Sequence, residues 1–410
     1  MRLMGAPIPS TMAILRRDIL PRIGYIAPMH VMTTTHELSA VCGRLAAAPY
    51  VAVDTEFVRE TTFWPDLCLI QIAGGADEAL IDPLAPGMDL APFFALMANP
   101  AVIKVFHAAR QDLEIIHLLG KVIPSPIFDT QVAAMVCGYG DSISFSNLVK
   151  SIVGTDIDKS SQFTDWRRRP LSPKQLTYAL SDVTQLRPVY EHLAAKLAET
   201  GRAGWLDQEM ASLTDGSTYE QHPENAWARL KLRVKSRKAL GVLVEVAAWR
   251  ERTAQSQNVP RGRILKDEAI YDIANQMPKS IEELGELRTI NDGFARSARG
   301  LELVAAVKAG LARDPATLPP LERGTATPVE AQAVLELLKV LLKAAAAEHG
   351  VAPKMIATSD DLERLAVERE PDILALKGWR RELFGARAVA LKSGKLALKV
   401  RGGAIEAVEV

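Results

Sequence analysis

Residues 51–57, VAVDTEF, put two carboxylates into a segment that otherwise asks to be buried. Val51, Val53, Thr55 and Phe57 alternate with Ala52, Asp54 and Glu56, the period of a β-strand, so both acids fall on one face roughly 6–7 Å apart. Apolar runs on either side make this a central strand rather than a solvated edge. Two anions side by side there need a counter-charge. Two more acids sit in similar settings. Asp112, in FHAARQDLEII, lies near the start of a helical pattern whose apolar stripe is Leu113, Ile116 and Leu119. Asp182, in YALSDVTQL, follows Tyr178 by four positions, which sets phenol and carboxylate on one helix face. Taken singly, Asp112 reads as a first-turn acid answering the helix dipole and Tyr178 as an ordinary half-buried tyrosine. Taken together, the acids read as a site.

Four convergent carboxylates with no local Lys or Arg suit hard divalent cations, which take oxygen ligands and bridge carboxylate to phosphate; Mg²⁺ is the first expectation and Mn²⁺ the second. Two such ions about 3.5–4 Å apart stabilise the attacking and leaving oxygens of an in-line displacement at phosphorus. Water is then the nucleophile. Tyr178 stands where it can hydrogen-bond that water or help take its proton, although a free phenol titrates at about 10 and is a poor base alone.

The three acidic segments resemble the exonuclease motifs of the DEDD superfamily in its tyrosine-bearing branch: D-x-E in Asp54 to Glu56, H-x(4)-D in His107 to Asp112, and Y-x(3)-D in Tyr178 to Asp182. WPDLCLIQIA (64–73), FDTQVAA (128–134), DIDKSSQFTDWRRRPLS (156–172) and LTYALSDV (176–183) extend the likeness to the ribonuclease D family. That resemblance implies an α/β, ribonuclease H-like exonuclease domain with a mixed sheet flanked by helices. It implies a catalytic set of Asp54, Glu56, Asp112, Tyr178 and Asp182, the four acids holding two divalent cations. The implied activity is 3′→5′ exoribonucleolytic trimming of precursor tRNAs and other small structured RNAs, with release of nucleoside 5′-monophosphates. His107 receives no ligand role, and Asp129 reads as a cap or turn residue in support. Two rival readings are a 3′→5′ DNA exonuclease, since phosphodiester chemistry is indifferent to the sugar, and a catalytically silent RNA-binding adaptor. The intact acidic set argues against the adaptor.

The chain's net charge of zero suits an RNA enzyme only once the charges are mapped. Residues 1–219 carry 18 basic and 23 acidic side chains, whereas residues 226–266 carry 11 Lys or Arg against two Glu. A net acidic catalytic half needs metals, and a separate basic stretch to hold the substrate. RLKLRVKSRKAL (229–240) is the candidate, read as one face of a helix, with Lys231, Arg233, Lys235 and Arg237 as phosphate contacts and further cations at Arg250, Arg252, Arg261, Arg263 and Lys266. Arg167, Arg168 and Arg169 form a second cluster before the Tyr178 helix, and Trp166 reads either as a base-stacking ring or as a buried structural one.

With 410 residues and 48% hydrophobic content, the chain has room for two or three domains with real cores. Cys42, Cys68 and Cys137 have no C-x-x-C spacing, which fits a reducing cytoplasm and neither a disulfide framework nor a zinc site. No apolar run reaches bilayer length, and no obligate protein partner is evident. An internal repeat offset by 92 residues aligns NVPRGRILKDEAIYDIA (258–274) with GVAPKMIATSDDLERLA (350–366), each after a long helix. The two units resemble the HRDC domains carried by ribonuclease D and some helicases, and imply two all-α bundles. The expected organisation is a flexible extension at 1–28, the exonuclease domain at 29–212, and bundles at 226–313 and 325–402, around an opening that admits a single-stranded 3′ end.

Overall fold

The computed structural model describes residues 30–231, 234–320 and 328–410. The expected extension at 1–28, Arg233 and residues 321–327, around the expected start of the second bundle, lie outside the described residues.

The strand read in VAVDTEF lies inside a six-stranded sheet ordered β1-β4-β3-β2-β5-β6. The strands are β1 (Val31–Met32), β2 (Tyr50–Val58), β3 (Asp66–Gly74), β4 (Asp77–Ile81), β5 (Ile103–Phe106) and β6 (Ile127–Asp129). β2, β3 and β4 pair antiparallel through short connections, whereas β1 joins β4, β5 joins β2 and β6 joins β5 in parallel. Helices α1 (Thr35–Leu45), α2 (Ala91–Ala98), α3 (Arg110–Gly120), α4 (Thr130–Val136), α5 (Phe145–Ile152) and α6 (Pro173–Glu199) complete the domain. The alternation in VAVDTEF decides the layering. Val51 and Val53 join a core with Leu38, Phe93, Leu113 and Ile116 on one face, and Ala52 joins Val183 and Leu186 of α6 on the other. Asp54 and Glu56 therefore face α6. In α3 the buried apolar positions are Leu113, Ile115 and Ile116, while Leu119, expected in the stripe, is exposed.

After α6, α7 (Asp207–Leu213) and the segment beyond it remain attached to the exonuclease core. Tyr219 is buried there and donates to Leu213 O at 2.7 Å, so the stretch between the expected exonuclease domain and first bundle is in part a packed element. The first helical unit is built on α8 (Arg237–Gln257), with α9 (Arg261–Ile264), α10 (Asp267–Gln276) and a closing helix, Ala298–Ala312. α8 begins at Arg237, well inside the 229–240 stretch read as helix, because Ser236 caps it by accepting the Ala239 N–H. Lys231 and Lys235 consequently precede the helix. Gly241 and Gly310 let α8 and the closing helix touch backbone to backbone: a Cβ at Gly241 would lie 2.5 Å from Gly310 O.

The second unit comprises the helices Val329–His349, Pro353–Ile356, Ser359–Val367 and Ala386–Lys392, followed by a hairpin, β7 (Leu396–Arg401) and β8 (Ala404–Glu409). Gly402 and Gly403, both at positive φ, make its turn. The expected all-helical unit ending at 402 thus carries a β-hairpin that extends past that boundary. Among the described residues no helix is long and apolar enough to cross a membrane.

Both units dock on the exonuclease domain by the same corner. The long helices end in left-handed residues, Asn258 (φ 48°) and Gly350 (φ 61°), which the repeat aligns. Asn258 Oδ1 accepts the N–H groups of Phe63 and Trp64 at 3.1 and 3.0 Å. Gly350 O lies 2.7 Å from where a Cβ on Gly138 would be, and the Ala352 N–H donates to Met135 O at 2.9 Å.

Candidate active site

β2 delivers Asp54 and Glu56 to the face covered by α6, and α6 answers with Asp182. Single carboxylate oxygens of these three lie within 4.8 Å of one another. A register shift in the β2–β3 pairing falls just after Glu56, a local irregularity of the kind that re-aims a strand beside a site. α6 is fixed at its start by a capping box, Ser172 with Gln175, and by Pro173 in the first turn. Tyr178 stands one turn before Asp182, with Trp166 6.2 Å away centroid to centroid.

Asp112 comes from the opposite side of the sheet. It is buried in the first turn of α3, and Thr55, which alternates with the two acids of β2, donates its hydroxyl to Asp112 Oδ1 at 2.5 Å. Two backbone N–H groups hold the start of α3 to Asp129, Ala108 donating to Oδ1 at 3.0 Å and Ala109 to Oδ2 at 2.9 Å, while Gln131 of α4 donates to Oδ1 at 2.8 Å. Ala108 has φ 60°, unfavourable for a residue with a Cβ, and this clamp offsets that strain. Asp129 is thus both the cap of α4 and the anchor of the turn that presents Asp112. Arg59 adds a two-pronged ion pair to Glu114 of α3 at 2.8 and 2.9 Å, tying the loop after β2 to the same helix. His107 is held by Thr130 Oγ1 (3.0 Å) and Ile143 O (3.2 Å), so its ring is engaged in packing.

The acids line a cleft of about 390 Å³ together with Thr55, Phe57, His107, Gln111, Phe145, Gln162, Phe163, Tyr178 and Leu186. No Lys or Arg is among the lining residues. Without a counter-charge the carboxyls resist ionisation. Burial and then Asp182 raise Asp54 well above the carboxylate range; burial and then Asp54 do the same to Asp112. Glu56 is pushed up to about 10 by burial, then by Asp54, Asp182 and Asp112. Asp182 is pushed up to about 7 by burial, with the Tyr178 hydrogen bond pulling the other way. The same burial and acids raise the Tyr178 phenol further above its ordinary value. A pocket of carboxylates that lacks any basic side chain fits divalent cations, which supply the missing charge through oxygen ligation.

The basic residues are distributed differently from the acids. Arg169 is bound to Asp82 by two hydrogen bonds of 2.6 Å and to Cys68 O and Trp166 O at 2.7 Å. Trp166 is buried among Cys68, Leu69, Leu80 and Ala179, which settles it as structural. Arg167 is exposed near Asp66 and Asp165, and Arg168 is exposed beside it. In the first unit Arg237 donates to Pro315 O and Pro319 O, Arg250 to Leu265 O and Asp267, and Arg261 to buried Glu251. Lys231 and Lys235 are exposed. Sequence reasoning passed over Phe145, Phe163, Gln111 and Gln162 in the cleft; the available signal was an aromatic residue amid polar ones in SSQFTDW.

The chain is similar to known proteins along most of its length. Residues 29–198 match the family model described as 3′–5′ exonuclease, and residues 239–307 match the HRDC domain. The chain is 54% identical to ribonuclease D of Nitrobacter hamburgensis, over 93% of this chain and 100% of that protein. It is 47% identical to ribonuclease D of Gluconacetobacter diazotrophicus, over 94% and 98%. The crystal structure of Escherichia coli RNase D, described as an exoribonuclease involved in structured RNA processing, superposes with a TM-score of 0.77 at 28% identity, covering 90% of this chain and 99% of that one. A chain so similar along nearly its whole length, with the acids of three separated segments gathered in one cleft, belongs to the ribonuclease D family of 3′→5′ exoribonucleases.

Proposed function

We propose that this exoribonuclease shortens the single-stranded 3′ ends of precursor tRNAs and other small structured RNAs by hydrolysis, with Asp54, Glu56, Asp112 and Asp182 as ligands for two divalent cations, Mg²⁺ first and Mn²⁺ second. The observation that carries this reading is the gathering of Asp54, Glu56 and Asp182 within ligand distance in a cleft lined by no cation. Bound there, divalent ions neutralise the carboxylates and stabilise the charge that develops on the attacking and leaving oxygens. The chain's own residues do the rest. Thr55 and the Asp129 clamp fix Asp112, and the capped α6 fixes Asp182 and Tyr178 in one register. Tyr178, at the cleft one turn before Asp182, hydrogen-bonds the attacking water or helps take its proton, in keeping with the tyrosine-bearing branch of the superfamily. The exposed Arg167, Arg168, Lys231 and Lys235 contact phosphates along the strand, a role for which Arg169 and Arg237 are less suited because of their internal bonds.

We assign the exonuclease domain to 29–212 plus the packed segment through Tyr219, the first HRDC unit to 226–313, and a second HRDC-like unit to the helices from Val329 onward. The matching left-handed corners at Asn258 and Gly350 support that last assignment.

The test is a time course on a 5′-labelled RNA hairpin with a single-stranded 3′ tail, with Mg²⁺, Mn²⁺ or chelator. A metal-dependent ladder shortening from the 3′ end, halting near the duplex and lost in Asp182→Ala, is expected. Asp54→Asn should still bind the tail while cleavage falls by orders of magnitude. Equal or faster cleavage of the matching DNA strand would replace the RNA reading with a DNA one.

A further inference from the structure

The segment between α5 and α6 carries an aromatic side chain for which the fold has no use. Phe163 is 93% exposed, the most exposed large apolar side chain among the described residues, and yet it lines the acidic cleft. Isolated apolar side chains on a surface are common. This one is held in place from both sides. Ser161 and Trp166, flanking it, are buried. Thr164, its neighbour, donates to Ser161 O through its N–H at 3.2 Å and its hydroxyl at 2.8 Å. The same hydroxyl accepts from Gln175 Nε2 at 3.1 Å, and Gln175 belongs to the capping box of α6. The turn that carries Phe163 is therefore fastened to the helix bearing Tyr178 and Asp182, and the fastening leaves the ring in solvent at the rim of the cleft.

An RNA strand entering this cleft brings phosphates to the acids and bases to whatever faces them. The cleft lining contains no Lys or Arg to grip the strand by charge. An aromatic face grips it without charge and without regard to sequence, because every base has a π-face. A 3′→5′ exonuclease that moves one nucleotide at a time needs such indifference at the position next to the chemistry. We propose that Phe163 is a stacking platform for a base of the 3′-terminal dinucleotide, a positioning residue for the exonuclease reaction. The inference rests on the RNA reading given above. It assigns to Phe163 the part that Trp166 cannot play from its buried position.

The experiment uses the full chain, Mg²⁺, and an oligoribonucleotide with 2-aminopurine at the terminal or penultimate position and phosphorothioate linkages at its 3′ end to slow cleavage. The native protein should quench the probe at one of the two positions. Phe163→Ala and Phe163→Leu should lose that quench and bind about tenfold more weakly, whereas Phe163→Trp should keep both. On unmodified RNA the same two losses should appear as a raised KM with kcat little changed. Because the ring is exposed, none of these variants threatens the fold. Native-like quenching by Phe163→Leu, or by Phe163→Ala, would overturn the proposal while leaving the exoribonuclease reading standing. Failure of the native protein to bind the RNA end at all would overturn the reading itself, and the proposal with it.

Discussion

The two helical units are joined to the exonuclease domain by equivalent corners, yet they relate to it in opposite ways. In the second unit, Leu338, Leu341, Ala345, Ile356 and Phe384 belong to one continuous core with Ala133, Val136, Leu148, Val149, Leu193 and Leu197 of the exonuclease domain. In the first, Val242, Val246, Ile270, Ile273, Leu303 and Val307 form a core of their own, which Phe63 enters from the exonuclease side. Polar and aromatic fastenings repeat the contrast. Trp205 stacks on Trp379 at 4.3 Å with an interplanar angle of 4°, flanked by Arg202 over Trp205 and Arg380 over Trp379, and Arg380 reaches Gln208 and Glu209 of α7. At the first unit the joint consists of the Asn258 bonds, the Phe63 ring against the Arg261 guanidinium, and Gln255 bonding Gln221 O. The second unit thus acts as a wall of the nuclease, whereas the first keeps a core that only Phe63 joins from the exonuclease side. A unit with a separate core can offer more of its surface to a ligand.

Core truncations test this difference most severely. Leu338→Ala and Ile270→Ala each remove a fully buried side chain and should cost about 2–5 kcal/mol. Calorimetry should locate that cost differently. Leu338→Ala should lower the unfolding of the exonuclease domain and the second unit together, and nuclease half-life at elevated temperature with it. Ile270→Ala should split off an early transition for the first unit and leave the exonuclease transition near its native temperature. A single transition shifted equally by both would mean that the cores are not thermodynamically distinct.

The corners give a smaller effect of the same kind. Gly138 has φ 85° and no room for a Cβ beside Gly350 O, so Gly138→Ala strains its own backbone and pushes on the second unit, at about 1–3 kcal/mol. Asn258→Ala removes the acceptor for two N–H groups that water can partly replace, so about 1 kcal/mol is expected. Hydrogen exchange should report the first as loosening at 135–138 and in the nuclease core, the second as loosening confined to 59–65. Spread of the Asn258→Ala effect into β5 or α6 would contradict the separation.

Much of this organisation was readable from short-range pattern. Alternation in VAVDTEF gave the strand and the face of Asp54 and Glu56, and the four-residue step from Tyr178 to Asp182 holds within α6. β1 and β6, of two and three residues, are too short for a period to register. The start of α8 was misjudged because basic residues are good helix formers, and the continuous pattern hid the cap at Ser236. The Gly402–Gly403 pair, both at positive φ, is a hairpin signal legible in the sequence. Other features lay beyond any local reading. Arg169 is bound by Asp82, 87 positions away, and Thr55 by Asp112, 57 away; neither separation leaves a mark in the sequence. The clamp at Asp129 was visible only as a cap, since its other two donors, Ala108 and Ala109, are backbone groups of a distant turn.

The gentlest test concerns what the first unit does with its surface. Among the described residues, Lys231 and Lys235 take part in no ion pair, in contrast to Arg229, Arg250 and Arg261, which are joined to Glu251 or Asp267. If these two lysines meet phosphates, Lys231→Gln with Lys235→Gln should reduce the slope of log affinity against log salt by about 1.4 for a single-stranded tail, each charge releasing about 0.7 of a counterion. Metal-dependent cleavage of short oligonucleotides should persist, because the acids are untouched. Lys343→Gln, at an exposed position of the second unit, should leave the slope unchanged. Arg237→Gln should also leave it unchanged while destabilising the first unit, since its guanidinium is bonded to Pro315 O and Pro319 O. An unaltered slope in the double variant would turn this basic stretch away from the RNA and leave the grip to Arg167 and Arg168 at the exonuclease domain. A reduced slope for Lys343→Gln would mean that the second unit, too, takes the ligand, and that sharing a core does not confine it to the role of a wall.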